Sequence, residues 1–320
     1  MINDLGGDSP RRMALSSIYF AIVWHTWYTT FGPLARCLLI STLEYKAKEG
    51  ELLFHYCSPA TLHAILEGKK LRFSDVLSMN DSMEFKWGAQ LLKRAMGAIA
   101  ADDAEAFAKA KGIADWFVTA QGILEEHGLL TACCLSKRGD VLSQWRAYAD
   151  NGAGFAVGFD SAAMARMPVR PLDVCYEPEK QRWHLGEAIS KIIASPDAVV
   201  DGKSLMKALL IMLLDTVGFK NPAFEEEDEV RLVHHISLTR GDGVLVPTYE
   251  DSVTPPDVRF YMRGSVPTAF VDLELPGGHS AVKKIFVGPR ANVEVRSLQI
   301  MLGSMGFQNI EIEKSSATYR

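Results

Sequence analysis

The chain has 320 residues, enough for one large domain or two small ones with a substantial core. A composition that is 48% hydrophobic and 23% charged excludes a largely disordered chain. The net charge of -5, from 34 basic and 39 acidic residues, carries no global signal for nucleic acid. Five cysteines, Cys37, Cys57, Cys133, Cys134 and Cys175, are odd in number and lack C-x-x-C spacing. A disulfide framework and a thiolate zinc site are therefore not expected, and a reducing cytoplasm fits. The histidines show no H-E-x-x-H spacing, and His234 and His235, on a strand, face opposite ways, so no metal is expected.

Residues 13–35 contain no Lys, Arg, Asp or Glu and follow Arg11-Arg12. The strongly apolar part ends near Trp24, short of the roughly 20 residues a membrane span needs. A packed N-terminal helix or an upstream extension is the preferred reading, with membrane association through residues 13–35 left open. Residues 1–50 are set apart as an N-terminal hydrophobic extension and residues 51–320 as a single domain. Leu52 to Tyr56 reads as a buried strand, Thr61 to Glu67 as a short helix started at Ser58-Pro59 and ended by Gly68, and Lys70 to Phe73 as a second strand. Two helices follow, over residues 84–110 and 114–126, with Asp81 or Ser82 as the cap of the first. Leu129 to Leu135 is a strand, Asp140 to Ala149 a helical turn, Asn151-Gly152 a turn, and Gly154 to Phe159 a strand. Pro168 to Tyr176 is strand-like, and residues 183–217 have helical periodicity broken at Pro196. Strands over 229–238, 269–275 and 281–287, a helix over 293–306 and a strand over 309–313 complete the chain. Strands dispersed among helices without repeats predict an α+β fold.

Glu227-Asp228-Glu229-Val230-Arg231 carries the sharpest local geometry. On a strand, alternation puts Glu227, Glu229 and Arg231 on one face and Val230 and Leu232 on the other. Two carboxylates about 7 Å apart repel, and a neighbouring Arg offsets that repulsion. Such a pair can steady positive charge developing at an anomeric carbon, or it can be an acidic turn at a solvated strand start with Arg231 as a surface partner. His55 ends an apolar run, where it can donate to a ribose hydroxyl or sit buried on backbone, with Tyr56 a core aromatic in the second case. Gln144, Trp145 and Tyr148 have the spacing of one helical face, as a ring-stacking surface or as core. Arg72 is a candidate phosphate ligand.

Taken in order, His55-Tyr56-Cys57-Ser58, Lys70 to Phe73, Asn80 to Glu84, Trp145 to Ala149, Gly154 to Asp160, Glu227 to Arg231, Gly288-Pro289 and Thr318-Tyr319-Arg320 resemble the uncharacterised bacterial family "domain of unknown function 2971". Cys57 stands where the pattern has Thr, and Ser82 where it has Pro, so Ser58 is the hydroxyl left near a nicotinamide amide. The order His55, Tyr148, Glu229, with an E-x-E at Glu227 and Glu229, is similar to that of ADP-ribosyltransferases. That likeness implies a mixed, split β-sheet core with peripheral helices, and NAD as substrate rather than as a resident cofactor. It implies Glu229 and Glu227 as catalytic residues, Glu229 on the ribose and Glu227 toward the acceptor. His55, Tyr56, Ser58, Arg72, Trp145 and Tyr148 are then NAD-binding. The acceptor is a protein, a nucleic acid or water, and bacterial stress or phage defence is the setting. The alternative is a non-catalytic module that binds a ligand or partner in the same cleft.

Overall fold

The computed structural model describes residues 43–78, 124–194, 212–241, 244–248 and 257–318, with Leu91, Thr119, Ala120, Gly122 and Leu209. Most of the proposed N-terminal extension, the caps at Asp81 and Ser82, the helix over 84–110 and the break at Pro196 lie outside these residues. So do Tyr319 and Arg320. Among the described residues no helix is long and apolar enough to cross a membrane.

The fold is α+β. β1 (Leu52–Cys57) leads through helix α1 (Pro59–Gly68) to β2 (Lys70–Asp75). Ser58 caps α1 by accepting from the Thr61 amide, Pro59 occupies the first turn, and Lys69, one residue beyond the expected Gly68, takes the left-handed conformation that ends it. β3 (Gly128–Ser136), α2 (Leu142–Tyr148), β4 (Phe155–Asp160), α3 (Ser161–Ala165), β5 (Arg170–Asp173) and α4 (Pro178–Ala194) follow. The last third holds β6 (Glu229–Gly241), β7 (Val244–Thr248), β8 (Arg259–Arg263), β9 (Val266–Glu274), β10 (Val282–Val287), α5 (Val295–Ser304) and β11 (Glu311–Lys314). β7 and β8 are absent from the sequence expectation. Their residues do not alternate in burial, and Pro247 interrupts the first; both are peripheral strands whose pairing partner, rather than their own pattern, makes them strands.

The eleven strands of the described residues form one sheet, mostly antiparallel, with β10 and β11 pairing in parallel. β3 is its branch point. One edge of β3 pairs with β6 along its whole length, from Gly128 opposite Ser237 to Ser136 opposite Glu229. The other edge is shared: β1 pairs with it at Phe54 and Ser136, and β2 pairs at Ala132 and Thr131. From there one arm runs β1, β4, β10, β11 and the other β2, β9, β8. Residues 133–135 of β3 therefore lie in a fork between β1 and β2. The main core is apolar side chains of both arms, among them Leu53, Phe73, Leu135, Val157, Phe159, Val230, Leu232, Val271 and Ile285. A second cluster gathers Phe54, Tyr56, Trp145, Ala149, Ala156 and Phe286 under α2.

The packed body starts before residue 51. Leu43 and Tyr45 are buried, the Tyr45 amide donates to the Pro171 carbonyl, and the Leu43 carbonyl accepts from Asp173, so this stretch extends the sheet beside β5. Lys46, Lys48 and Glu49 make this segment read as polar, while two large side chains, Leu43 and Tyr45, anchor it.

Candidate active site at the sheet fork

β6 supplies the first two side chains. Alternation places Glu229 and Arg231 together and sends Val230 and Leu232 into the core, as the sequence predicts for those four residues. The register puts Glu229 opposite Ser136 and Arg231 opposite Cys134. Arg231 grips Glu229 with two parallel bonds, Nε to Oε1 at 2.8 Å and Nη2 to Oε2 at 3.0 Å, and its Nη1 donates to the Val217 carbonyl at 2.7 Å. This bidentate fork is the strongest ion-pair geometry available to a carboxylate.

Glu227 arrives differently. It ends a 3-10 turn (Pro222–Glu227) capped by Asn221, and Asp228, left-handed at φ 43°, turns the chain into β6. Glu227 is thus outside the strand, and alternation does not place it. What joins the two acids is Lys220, whose Nζ donates to Glu227 Oε2 at 2.6 Å and to Glu229 Oε2 at 3.1 Å. Lys220 lies just before the 3-10 turn and is itself held through its carbonyl by Gln181 of α4. The second Glu227 oxygen accepts from the Tyr148 hydroxyl at 3.0 Å. Tyr176 accepts from the Glu229 amide at 3.0 Å, and the Cys134 thiol bonds the Glu229 carboxylate.

Electrostatics follow from this wiring. Burial pushes the Glu229 carboxyl up, but Arg231, Lys220 and the Cys134 thiol together outweigh burial and hold it down at about 2. Burial, then the Glu229 charge, pushes the Cys134 thiol far above its ordinary range, which removes it as a nucleophile at neutral pH. The Tyr148 hydroxyl is likewise pushed up, by burial first and by the Glu227 charge second, so it is a donor rather than a phenolate.

His55 joins through β3: its Nδ1 lies 3.1 Å from the Cys134 carbonyl, and since a carbonyl only accepts, Nδ1 is the donor. Cys134, Glu229, Arg231, Lys220, Glu227 and Tyr148 therefore form one continuous set of side-chain contacts at the fork, which His55 meets only at the Cys134 backbone, since alternation on β1 turns it with Leu53 and Cys57 to the main-core face. Solvent reaches it at the Tyr148 end, where the residue is 45% exposed; the Glu227 side chain is 13% exposed and that of Glu229 only 4%.

The remaining sequence candidates lie elsewhere. Trp145 is 0% exposed, donates its indole N–H to Asp140 at 2.7 Å and meets Tyr56 edge to face at 4.9 Å. Tyr56 is buried, donating to the Arg138 carbonyl and accepting from the Val141 amide. Both take the core alternative, packed with Phe54, Ala149, Ala156 and Phe286, while Tyr148 at the end of α2 stays part-exposed. The Ser58 hydroxyl is spent capping α1. Arg72 points from the β2–β9 arm into a surface group, bonding Asp272 at 3.1 Å and lying 3.8 Å over Phe270. Sequence reading missed Lys220 and Cys134. Lys220 stands in no periodic segment, and Cys134 enters only through register with β6; neither carries a local signal. Among the described residues no three His, Cys, Asp or Glu side chains gather as a metal site.

No curated protein and no solved structure matches the chain. Residues 144–232 match the model of a family described as "Protein of unknown function (DUF2971)". That stretch holds Tyr148, Tyr176, Lys220, Glu227, Glu229 and Arg231, so the family resemblance read from the sequence is supported across most of the cluster.

Proposed function

We propose that the fork is the active site of an ADP-ribosyltransferase-like enzyme that cleaves NAD at the nicotinamide–ribose bond and transfers ADP-ribose to a protein, a nucleic acid or water. The observation that carries this reading is the Glu227 carboxylate, held between the Tyr148 hydroxyl and the Lys220 ammonium at the open end of the cluster. As nicotinamide leaves, positive charge grows at the anomeric carbon, and a fixed anion beside it lowers the barrier without reorganising. Glu229 is less suited to that contact, since Arg231 and Lys220 already occupy its two oxygens. In this reading Glu227 faces the sugar and Glu229 positions Lys220, an exchange of the roles expected from the sequence. The part-exposed Tyr148 ring borders the leaving group.

The saturated Glu229 network favours a second reading, a non-catalytic module in which the ions hold the fork together. Incubating the purified chain with NAD and measuring free nicotinamide separates the two. Release that falls about 100-fold or more in Glu227→Gln, with an unchanged melting curve, is the expected result. Binding of NAD without any release supports the module, and equal release by Glu227→Gln removes Glu227 from the chemistry.

A further inference from the structure

We infer that Gln144 reads the carboxamide of nicotinamide, pairing its own side-chain amide with it; the inference rests on the NAD-cleaving reading above and adds a specificity-determining residue to it. It starts from a buried polar group without a partner. Gln144 is only 6% exposed, yet among the described residues its amide makes no hydrogen bond. The other buried glutamine shows what a structural amide looks like here: Gln181, 0% exposed, donates Nε2 to the Cys175 carbonyl at 2.7 Å and to the Lys220 carbonyl at 2.8 Å. An amide taken out of water with no protein group to satisfy it costs stability, so the fold gains nothing from Gln144 by itself.

Its place in the fold ties it to the acids. Phe54, Ser136 and Glu229 stand opposite one another across β1, β3 and β6, so they share the sheet face turned away from the main core. α2 covers that face, with Trp145 and Ala149 packed on Phe54 and Tyr56. Gln144 precedes Tyr148 by four residues and shares its flank of the helix. On that flank the Tyr148 hydroxyl donates to Glu227 Oε1 at 3.0 Å. The chain leading into α2 is tied to the same acid, since Ser136 Oγ donates to the Glu227 carbonyl at 2.7 Å. Glu227 is therefore held from both sides of Gln144 along the chain.

A glutamine amide offers an acceptor oxygen and an N–H donor side by side, and a primary carboxamide offers the same two groups. The two pair head to tail through two N–H to oxygen bonds. A carboxylate in the carboxamide's place has no proton to give the Gln144 oxygen, and the Glu227 charge repels it. Ser58, the hydroxyl expected from the sequence near this amide, is spent capping α1, and Gln144 supplies the missing polar contact.

Two measurements on the full chain test this, each made on wild type and on Gln144→Met, which keeps the length of the side chain and removes its hydrogen bonds. The first compares NAD with its deamidated form, in which a carboxylate replaces the carboxamide. Wild type is expected to prefer NAD by about 100-fold in kcat/KM. In Gln144→Met, kcat/KM for NAD is expected to fall about 10-fold to 100-fold while that for the deamidated form stays within about twofold. If NAD binds without being cleaved, the same ratio is read from dissociation constants. A preference that Gln144→Met leaves unchanged removes Gln144 from recognition while the NAD reading stands. Wild-type protein that neither binds NAD nor releases nicotinamide fails the NAD reading, and the assignment with it. The second measurement is the melting temperature without ligand. Gln144→Met is expected to melt no lower than wild type, since it gives up no bond within the fold. A variant that melts several degrees lower, or does not fold, shows a structural amide and overturns the inference.

Discussion

Glu229 shows how a buried carboxylate can be both costly and stabilising. Its carboxyl is held near 2 in the folded chain against an ordinary 4.5, a difference worth about 3 kcal/mol of folding stability. Because the folded value is the lower one, that contribution is complete above about pH 4.5 and is lost as pH falls from there toward 2. Glu229→Gln removes it and also strands Arg231 and part of Lys220 away from water. We expect a loss of about 3–5 kcal/mol at pH 7 by urea unfolding, shrinking when the comparison is repeated below pH 4. An equal loss at both pH values would show that the ion pair is not its origin. Lys220 makes a separate claim. Lys220→Met leaves two carboxylates facing each other with one cation fewer, so the Glu229 carboxyl must rise. Acid unfolding is then expected to begin at higher pH than in wild type, and an unmoved acid transition would mean that Arg231 alone holds Glu229.

At the scale of elements, the junction between α2 and β4 is the tightest backbone passage near the site. Asp150, Asn151 and Gly152 are all left-handed, with φ of 49°, 53° and 85°. Gly154 then passes so close to β1 that an added Cβ would lie 2.1 Å from the Cys57 carbonyl oxygen and 2.9 Å from that of Ala149. Neither neighbour is a side chain that can swing away, so Gly154→Ala is expected to cost about 2–3 kcal/mol. Gly186, inside α4 with nothing within 4 Å of such a Cβ, is the contrast: Gly186→Ala is expected to add about 0.5–1 kcal/mol. Urea midpoints moving in the same direction for both would mean that chain entropy, not crowding at β1, governs position 154. The turn was legible because Asn-Gly is a chemical signal for positive φ, and β1, β3, β4 and β10 were legible because their apolar runs are buried on both sides. β7 and β8 were not, since an edge strand owes its conformation to one neighbour. The site divides the same way. Period-two alternation places Glu229 and Arg231 from local sequence. Lys220, nine residues before Glu229, and Cys134, about a hundred residues away along the chain, meet them only through the return of the chain and the register of β3 on β6.

At the scale of the whole molecule, the branched sheet makes β3 the element through which both arms communicate. Among the described residues each arm ends in a strand paired on one edge, and the far strands are the least covered: Phe260 and Met262 of β8, and Val244 to Val246 of β7, are exposed. An amide opens with the smallest unit whose loss frees it, so peripheral strands exchange through small openings and a strand paired on both edges only through larger ones. Hydrogen exchange should therefore be fastest in β8 and β7, slower in β9 and β10, and slowest in β3 and the first half of β6. The fork adds a specific exception. Residues 133–135 lack a continuous partner strand on the β1–β2 side, and the bond from His55 to the Cys134 carbonyl closes the gap. His55→Ala is then expected to speed exchange at residues 133–135 and their β6 partners, Val230 to Leu232, while leaving β10 and β11 unchanged. Faster exchange spread evenly over both arms would mean that His55 supports the general fold and not the fork, and slow exchange at β8 would remove β3 as the centre of the sheet.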